Sequence, residues 1–488
     1  MPQVIAPPDA TASTLRPLCV DLDGTLVKSD TLVDSLLVLA RGRPRLLFRL
    51  PAHLLHGKAA FKAFVTESVA LDVAHLPYNR KVLQFLEEEH CKGRAIYLTT
   101  GANEALARRV AEHLALFTAV LGSDKRVNLT GKRKLEAMRG QLGEGGFDYI
   151  GNGTPDLPLL AAATERMVVN PSLALRVRMR ARGMRATRTL EERAGLRSIA
   201  SAMRPHQWAK NLLVVLPLLL SHVLRADRLA AALLAFCCFS LTASSAYIVN
   251  DLFDIEADRC HPRKRYRPFA AGQLSALTGI GLAAAFLAVA FTGAHLLPAA
   301  FSRWLLFYLF VTLVYSLYLK RIAIVDVIVL SGLYTLRLLA GGAATQTSIS
   351  HWLAGFSVFL FFSLAIIKRF AELENLRASG ALPRNGRGYI VADLNQLRSF
   401  GTSSAFAAVM VFAIYISGPD VTALYREPQI LWLIVPFMIL WLCRVWLLAS
   451  RGKLDEDPLV FALTDRASLL IGVSVAAIVL LASHGLRL

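Results

Sequence analysis

The stretch AYIVNDLFDIEADRCHPRKRYRPFAAG, residues 246–272, joins an apolar run to a group of acids and then to a group of bases. Asp251, Asp254 and Asp258 are spaced by three and four residues, so on a helix they lie along one face. Asn250 adds a neutral oxygen beside them. Oxygen-rich sites dense in carboxylates bind Mg²⁺, which usually bridges to substrate phosphates. The stretch therefore predicts a membrane helix that ends at a metal–diphosphate site, with the bases available for phosphate oxygens.

The composition agrees with a membrane protein. The chain has 488 residues, of which 55% are apolar and 18% charged, and 54 Lys and Arg against 35 Asp and Glu give a net charge of +19. This apolar content excludes a disordered chain, and chains beyond about 250–300 residues rarely form one soluble core. The six cysteines form no C-x-x-C pair and no Cys/His group in the sequence, so neither a disulfide framework nor a zinc site is expected.

The C-terminal part, 204–488, is predicted to be an all-α bundle of about nine transmembrane helices. The predicted spans are 211–224, 229–249, 275–296, 303–319, 323–343, 352–368, 401–418, 429–448 and 467–486. Lys and Arg are concentrated in the loops 250–274, 319–322, 368–400 and 450–466. Because basic loops stay in the cytoplasm, we expect an integral protein of the inner cell membrane with a cytoplasmic N-terminal domain.

The N-terminal part, 1–170, is predicted to be a soluble α/β domain. Short apolar runs alternate with helical stretches, a pattern typical of a parallel sheet covered on both faces. Between Leu26 and Gly93 the pattern is almost wholly helical, which predicts a helical insertion. Residues 171–203 are rich in arginine and are predicted to form a linker on the membrane surface, attracted to anionic lipids rather than to nucleic acid.

Further polar residues recur at the predicted cytoplasmic ends of the spans, where they can bind a phosphate-rich substrate or anchor the helix ends at the interface. Arg337 is an exception, because it lies inside a predicted span, where an ionised residue is a functional candidate. The predicted substrate-binding residues are Arg204, Gln207, Lys210, Asn211, Lys264, Arg265, Arg267, Tyr315, Lys320, Arg337, Lys368 and Arg369.

The N-D-x-x-D-x-x-x-D motif on a membrane helix resembles the UbiA superfamily of intramembrane prenyltransferases. Within it, RPHQWAKN at 204–211, YSLYLK at 315–320, LRLLAGGAAT at 336–345 and KRFAEL at 368–373 look most like polyprenyl-phosphate phosphoribosyltransferases. The resemblance implies a helical bundle with a polar cavity, and Mg²⁺ held on the acidic stripe together with the diphosphate of phosphoribosyl pyrophosphate. The acceptor that it implies is a polyprenyl phosphate.

Aromatic prenyltransferases of the same superfamily are the alternative. They resemble one another in a second acidic D-x-x-x-D group near the fifth span, where this sequence has Lys320, Arg321 and the single acid Asp326. A substrate with a further 5-phosphate and a lipid-phosphate acceptor call for cations there, so the charge pattern favours the phosphoribosyl interpretation. A transporter or receptor would carry inverted repeats or charges near the midplane, and the sequence shows no such repeat.

The string LCVDLDGTL, residues 18–26, resembles the haloacid dehalogenase (HAD) phosphatase superfamily. The resemblance implies Asp21 as the phosphoryl-accepting nucleophile and Asp23 as the acid/base. It also implies Thr100 on a phosphoryl oxygen, with Thr99 as a rival, and Lys134 as the basic residue, with Lys132 as the alternative. The helical insertion lies where one branch of the superfamily carries its cap.

GNGTPDLPLL, residues 151–160, resembles the superfamily's G-D-x-x-x-D motif and supplies Asn152 and Asp156 beside Asp21 and Asp23 at a second Mg²⁺. Asn152 departs from the usual acid, which lowers the negative charge available to the metal. The domain is therefore either a phosphatase that removes the 5-phosphate of the transferase product or a regulatory domain. The sequence predicts neither the lipid length nor the oligomeric state.

Overall fold

The computed structural model describes residues 15–125, 127–143, 146–191, 195–221, 225–379, 387–454 and 457–484. The chain divides into two compact units. The first consists of Met1–Ala202 and Asp251–Gly281, and the second of Met203–Asn250 and Leu282–Leu488. The segment that contains the acidic motif therefore packs with the N-terminal residues, although the sequence predicted it as part of the membrane domain.

The described residues of the first unit form a parallel sheet of six strands in the order β3-β2-β1-β4-β5-β6. The strands are β1 Leu18–Val20, β2 Ile96–Asn103, β3 Ala119–Ser123, β4 Asp148–Gly151, β5 Arg166–Val169 and β6 Arg188–Leu190. The strand order reverses at β1, which lies between β2 and β4. In open α/β sheets, ligands bind beyond the carboxyl ends of the strands at such a reversal. The predicted α/β class is confirmed.

Both faces of this sheet are covered. Leu18 and Val20 of β1 belong to one apolar cluster, and Cys19 between them belongs to another. Tyr149 lies in the second cluster and Ile150 in the first. This alternation follows from the two-residue period of a strand, and the two covered faces explain why these strands read as unbroken apolar runs.

Helices fill the connections of the first unit, and four of them form the predicted insertion between β1 and β2. They are α1 Thr31–Gly42, α2 Leu50–Leu55, α3 Lys58–Ser68, α4 Arg80–Cys91, α5 Glu104–Leu114, α6 Lys132–Leu142, α7 Leu157–Ala162, α8 Leu173–Ala181 and α9 Leu196–Met203. The Asp30 side chain caps α1 by accepting hydrogen bonds from the backbone N–H groups of Leu32 and Val33.

The predicted arginine-rich linker contributes to the α/β domain. Within 171–203, α8 and the strand β6 extend the fold, and β6 pairs with β5 through Val168 and Thr189. The predicted domain end at residue 170 therefore precedes the last strand of the sheet. The reason is that Leu175 and Met179 of α8 are buried in the second apolar cluster of the sheet. Residues 192–194, which include Arg193, lie outside the described part of the chain.

The second unit is helical. Its helices begin with α10 Leu216–Leu220 and α11 Ala226–Phe253, whose last residues continue into the first unit, where α12 Ile255–Arg259 follows. The remaining helices are α13 Ala276–Ala294, α14 Ala299–Leu317, α15 Val325–Thr345, α16 His351–Ser379, α17 Leu394–Ser417, α18 Pro419–Thr422, α19 Ile434–Ser450, α20 Pro458–Thr464 and α21 Arg466–His484.

Eight helices among the described residues are long and apolar enough to cross a membrane, and they coincide with the second to ninth predicted spans. The first predicted span, 211–224, is instead a 3₁₀ helix, Pro205–Val214, followed by the short α10. Residues 222–224 and the end of the ninth predicted span, 485–486, lie outside the described residues. Among the described residues, eight of the about nine predicted spans are thus long membrane-type helices, and the described part of the first consists of the 3₁₀ helix and the five residues of α10.

Candidate functional site

The predicted phosphatase residues meet at the carboxyl ends of β1 and β4. Asp21 directly follows β1, and its Oδ1 accepts a hydrogen bond of 2.7 Å from Lys134 Nζ of α6. The same Nζ donates to the Tyr149 hydroxyl at 2.8 Å, and this hydroxyl donates to Asp156 Oδ1 at 2.8 Å. All four side chains are buried. The arrangement places the carboxylate of Asp21, the predicted nucleophile, beside a cation that can offset phosphoryl charge.

Besides facing Lys134, Asp156 accepts hydrogen bonds from the backbone directly after β4. Its Oδ2 accepts hydrogen bonds from the backbone N–H groups of Asn152 and Gly153 at 3.2 and 3.0 Å. The Asn152 side chain lies against Gly24, whose φ is +72° and where an added Cβ would come within 2.0 Å of Asn152 Nδ2. Glycine is therefore required at position 24. By its chemistry, the amide oxygen of Asn152 remains a suitable ligand for Mg²⁺.

Asp23 lies at the start of the helical insertion. Its Oδ1 accepts a hydrogen bond of 2.8 Å from the backbone N–H of Thr31, the first residue of α1. Burial raises the pKa of Asp23 to about 7, and the Asp30 carboxylate adds to the shift. Burial also raises the pKa of Asp21, to about 6, although Lys134 opposes the shift. A carboxyl group that titrates near neutral pH suits the predicted acid/base role of Asp23.

The two threonines in the middle of β2, Thr99 and Thr100, are both buried. Thr99 Oγ1 donates to the Val20 carbonyl at 3.3 Å, directly before Asp21, whereas Thr100 Oγ1 accepts a hydrogen bond from the Ala102 N–H at 2.9 Å. Lys62 of α3 donates to the Gly101 carbonyl at 2.6 Å. Burial lowers the pKa of Lys62, and Asp23 opposes this shift. Sequence reasoning missed Lys62, because a lysine in an insertion helix carries no distinguishing pattern.

The acidic segment adopts a broken helix. Helix α11 ends at Phe253, and Asp254 precedes the short α12, so the three aspartates do not share one continuous helix as predicted. Asp251 and Asp258 nevertheless converge on the guanidinium of Arg267, whose Nη1 lies 3.1 Å from Asp251 Oδ1 and 2.6 Å from Asp258 Oδ2. Both carboxylates are buried. Two buried acids that share one cation form a donor set that fits Mg²⁺.

The remaining predicted residues of this segment differ in their surroundings. Asp254 Oδ1 lies 3.0 Å from Arg41 Nη1, in the last turn of α1. Lys264 and Arg265 are exposed, and Arg265 donates to the Tyr266 hydroxyl at 2.8 Å. Of the three predicted bases in this segment, Arg267 is thus the one that forms ion pairs with Asp251 and Asp258.

In the second unit, two predicted lysines meet on an acid that the sequence did not identify. Lys210 Nζ and Lys368 Nζ lie 2.6 and 2.8 Å from the same Oδ2 of Asp457. Asp457 also caps α20 by accepting a hydrogen bond from the Leu459 N–H. Burial would raise the pKa of Asp457, but the two lysines outweigh it and lower the pKa. The D-P pair at 457–458 signals a helix start, but it does not reveal the lysines.

Tyr315 and Arg369 meet on Asp326 in the second unit. The Tyr315 hydroxyl donates to Asp326 Oδ1 at 2.7 Å, and the Arg369 guanidinium contacts both carboxylate oxygens. Arg369 Nη1 also donates to Glu372. Asp326 is fully buried, so its carboxylate is committed to this bidentate pair.

Arg337 is enclosed within α15. Its guanidinium donates to Asn211 Oδ1 at 2.9 Å, to the Leu333 carbonyl at 2.6 Å and to the Tyr308 hydroxyl at 3.0 Å. The Tyr308 and Tyr334 rings flank it at 4.9 and 5.4 Å. These contacts satisfy hydrogen-bond donors of the buried Arg337 guanidinium and link Asn211 to α14 and α15.

Other predicted residues of this unit lie near the predicted cytoplasmic ends of the spans. Lys320 Nζ donates to Asn250 Oδ1 at 3.1 Å. Arg204 has a left-handed backbone, with φ of +53°, and its guanidinium lies 5.4 Å from the Tyr247 ring centroid. Gln207 lies in the 3₁₀ helix that follows Arg204. Lys320 and Arg204 thus each contact a residue at the end of α11, Asn250 and Tyr247 respectively.

One cysteine has neighbours that its sequence position does not indicate. Asp72, His75 and Cys260 of the first unit bring their potential ligand atoms within 4.8 Å of one another. His75 Nδ1 lies 2.7 Å and Cys260 Sγ 3.8 Å from the same Asp72 Oδ2. Asp72 and Cys260 are 188 positions apart, so the fold and not the local spacing brings this group together.

The eight long apolar helices found in the described part of the chain indicate an integral membrane protein. The profile of the UbiA prenyltransferase family matches residues 211–470, more than half of the chain. The chain belongs to the UbiA prenyltransferase family, and the predicted resemblance is confirmed.

Relatives extend this result. An uncharacterised protein, y4nM, of Sinorhizobium fredii is 36% identical over 94% of this chain and 90% of its own length. The decaprenyl-phosphate phosphoribosyltransferase of Mycobacterium tuberculosis is 33% identical over 58% of this chain and 92% of its own length. Among solved structures, a UbiA homologue from Archaeoglobus fulgidus bound to GPP and Mg²⁺ is 19% identical, with a TM-score of 0.45, over 58% of this chain and 99% of that one.

Proposed function

We propose that the UbiA-type domain transfers phosphoribose from phosphoribosyl pyrophosphate to a polyprenyl phosphate, with Mg²⁺ as cofactor. We further propose that the α/β domain removes the 5-phosphate of the lipid-linked product. Both reactions take place at the cytoplasmic face of the inner cell membrane, where the arginines of 171–203 contact anionic lipid. The observation that carries the proposal is the buried pair Asp251 and Asp258 around one cation.

The choice of substrate rests on charge and on the named relatives. Two of the relatives at 33% identity, both from Mycobacterium tuberculosis, are called decaprenyl-phosphate phosphoribosyltransferase. Near the fifth predicted span, Asp326 is engaged by Arg369 and Tyr315, which argues against a second carboxylate–metal group of the aromatic type there. Lys210 and Lys368 share one carboxylate, so this pair of bases keeps an excess of positive charge for phosphate groups.

The transfer is a displacement at the anomeric carbon. An oxygen of the lipid phosphate forms the new C–O bond while the bond to the diphosphate breaks, and the diphosphate leaves with the electron pair. Mg²⁺, when bound, neutralises the departing charge. Asp251, Asp254 and Asp258 would hold the metal, with Arg267 moving from between the acids onto a phosphate oxygen. The acceptor is already an anion, so this step needs no general base.

The proposed phosphatase reaction has two steps, which the HAD resemblance implies. An oxygen of Asp21 attacks phosphorus, and the ribose 5-oxygen leaves with a proton from Asp23. Water then attacks the aspartyl phosphate, Asp23 accepts its proton, and inorganic phosphate leaves with the Asp21 carboxylate restored. Lys134 offsets the negative charge on Asp21 and on the phosphoryl group.

The first prediction concerns the acid pair. Asp251→Asn and Asp258→Asn should each lower the transfer of radiolabelled phosphoribose to polyprenyl phosphate at least 100-fold, because each removes charge from the metal site. The measurement uses the purified full chain in detergent with Mg²⁺, and lipid extraction of the product. Asp227→Asn is the matched control, since Asp227 is an exposed acid at the other end of α11.

Two outcomes would reject the assignment. Full transfer by Asp251→Asn would remove the acid pair from the reaction. Prenylation of 4-hydroxybenzoate with a polyprenyl diphosphate, without lipid-linked ribose from labelled phosphoribosyl pyrophosphate, would make the protein an aromatic prenyltransferase.

A further inference from the structure

The residue directly after Asp258 is held by the N-terminal domain. Arg259 Nη1 lies 2.8 Å from Asp34 Oδ2, and the two side chains are only 5% and 1% exposed. Arg259 Nη2 donates to Ser29 Oγ at 3.2 Å, and Ser29 Oγ donates to Asp34 Oδ2 at 2.6 Å. The third donor, Nε, contacts the Ala270 carbonyl at 3.3 Å. The buried guanidinium of Arg259 therefore has a charged or polar partner at each of its three nitrogens. These contacts hold the backbone at Arg259, the residue after Asp258.

The same helix contacts the acidic segment at a second point. Arg41, seven residues after Asp34 and on the same face of α1, lies 3.0 Å from Asp254 Oδ1. Its Nη1 also donates to the Phe253 carbonyl at 3.2 Å, at the end of α11. Helix α1 therefore contacts the acidic segment at both ends of α12. These contacts hold the break between α11 and α12 in one conformation.

The first residue of α1 also contacts the other candidate site. The Thr31 N–H donates to Asp23 Oδ1, and Asp34 lies one turn further along. A helix of 12 residues is about 18 Å long at 1.5 Å per residue. One short helix thus connects the predicted acid/base carboxyl to the acids predicted to bind the metal of the transferase.

We propose that Asp34 of the N-terminal domain is a positioning residue of the transferase, acting through Arg259 to hold Asp258 and Asp251 in the geometry that binds Mg²⁺. The inference rests on the proposed metal role of these acids. It assigns the insertion between β1 and β2 a function in the membrane reaction, separate from the cap role that the HAD resemblance implies. Arg41 assists from the other end of α1 by keeping Asp254 next to α11.

The test is the Mg²⁺ dependence of hydrogen exchange in residues 251–267, measured on the full chain in detergent. In the unaltered protein, Mg²⁺ should slow this exchange with a defined midpoint concentration. Asp34→Asn and Arg259→Gln should each raise the midpoint at least tenfold, because the acids are no longer held together. The double variant should show no further increase, since both changes break the same pair.

Control variants distinguish a loss of the positioning contact from a loss of folding. Glu104→Gln breaks an exposed ion pair with Arg108 in the same unit and should leave the midpoint unchanged. Arg259→Lys retains the charge and should recover part of the loss. Exchange of β1 and β2 amides monitors the fold, and a variant with altered exchange in these strands is replaced by the charge-retaining Asp34→Glu.

The outcomes are distinguishable. A normal Mg²⁺ midpoint in both Asp34→Asn and Arg259→Gln would overturn the positioning role while leaving the proposed function intact. Absence of any Mg²⁺ effect on 251–267 in the unaltered protein would reject the metal site of the proposed function, and the positioning role with it.

Discussion

At the scale of single residues, the α/β site depends on a hydroxyl that joins two charges. The Tyr149 hydroxyl accepts from Lys134 and donates to Asp156, and all three groups are buried. Burial raises the pKa of Tyr149 well above its usual value, with the carboxylates of Asp156 and Asp21 adding to the shift, so the hydroxyl keeps its proton. Without the Tyr149 hydroxyl, Lys134 and Asp156 would each lose one hydrogen-bond partner.

Tyr149→Phe should destabilise the N-terminal domain by about 1–3 kcal/mol, the usual cost of unsatisfied buried polar groups. We also expect at least tenfold lower hydrolysis of a phosphomonoester, since Lys134 loses part of its orientation toward Asp21. Thermal unfolding and phosphate release measure the two effects. Tyr97→Phe, the same change on β2, is the control, and equal behaviour of the two variants would contradict the role of Tyr149.

At the scale of elements, α15 shows how a bundle accommodates an arginine. Three donor nitrogens of Arg337 are satisfied by Asn211, Leu333 and Tyr308, so the guanidinium ties α15 to α14 and to the 3₁₀ helix Pro205–Val214. The sequence predicted Arg337 as a substrate-binding residue, because charged residues inside spans usually serve function. With its donors engaged in this way, we expect a structural role.

Arg337→Met should therefore lower the thermal stability of the membrane domain, since the Asn211 amide and the Tyr308 hydroxyl lose a buried partner, at about 1–3 kcal/mol. The KM for phosphoribosyl pyrophosphate should stay within twofold of the unaltered value. Arg303→Met, at an exposed position of α14, is the control. An increase in KM of tenfold or more without a loss of stability would restore the substrate-binding role.

At the scale of the whole molecule, two proposed activities share one chain and one lipid product. Modules tethered by short flexible linkers reach effective concentrations of order mM, so under the proposed function the α/β domain would act on the product without diffusion through the membrane. The proposed hydrolysis of the 5-phosphate would also draw the transfer forward by removing its product.

Asp21→Asn should convert the output of the full chain from lipid-linked ribose to lipid-linked phosphoribose. The expected change is complete, because the nucleophile of the second reaction is lost while Asp251 and Asp258 are intact. Mass spectrometry of the extracted lipid distinguishes the two products by one phosphate group. Glu87→Gln, an exposed change on α4, should leave the product unchanged. Identical products from Asp21→Asn and the unaltered chain would contradict the phosphatase role of the domain.

Much of the architecture could be predicted from local pattern. Strand-end motifs located Asp21 and Asn152 correctly at the edge of a parallel sheet, because the carboxyl ends of its strands meet there. Eight spans could be predicted because hydropathy over about 20 residues decides membrane insertion. The 3₁₀ helix Pro205–Val214 and the strand β6 could not, since short segments depend on their neighbours more than on their own propensity.

The sequence by itself determined the kinds of elements, the family and the two sets of candidate acids, because these depend on residue types at short spacing. Only the tertiary structure decided which charges meet. Lys210 binds Asp457 across 247 positions, and Arg259 joins Ser29 across 230. Such pairs are selected by how distant segments pack, which no local pattern encodes. The same packing joins the acidic segment to α1 of the N-terminal domain and so links α1 to the residues proposed to bind the metal.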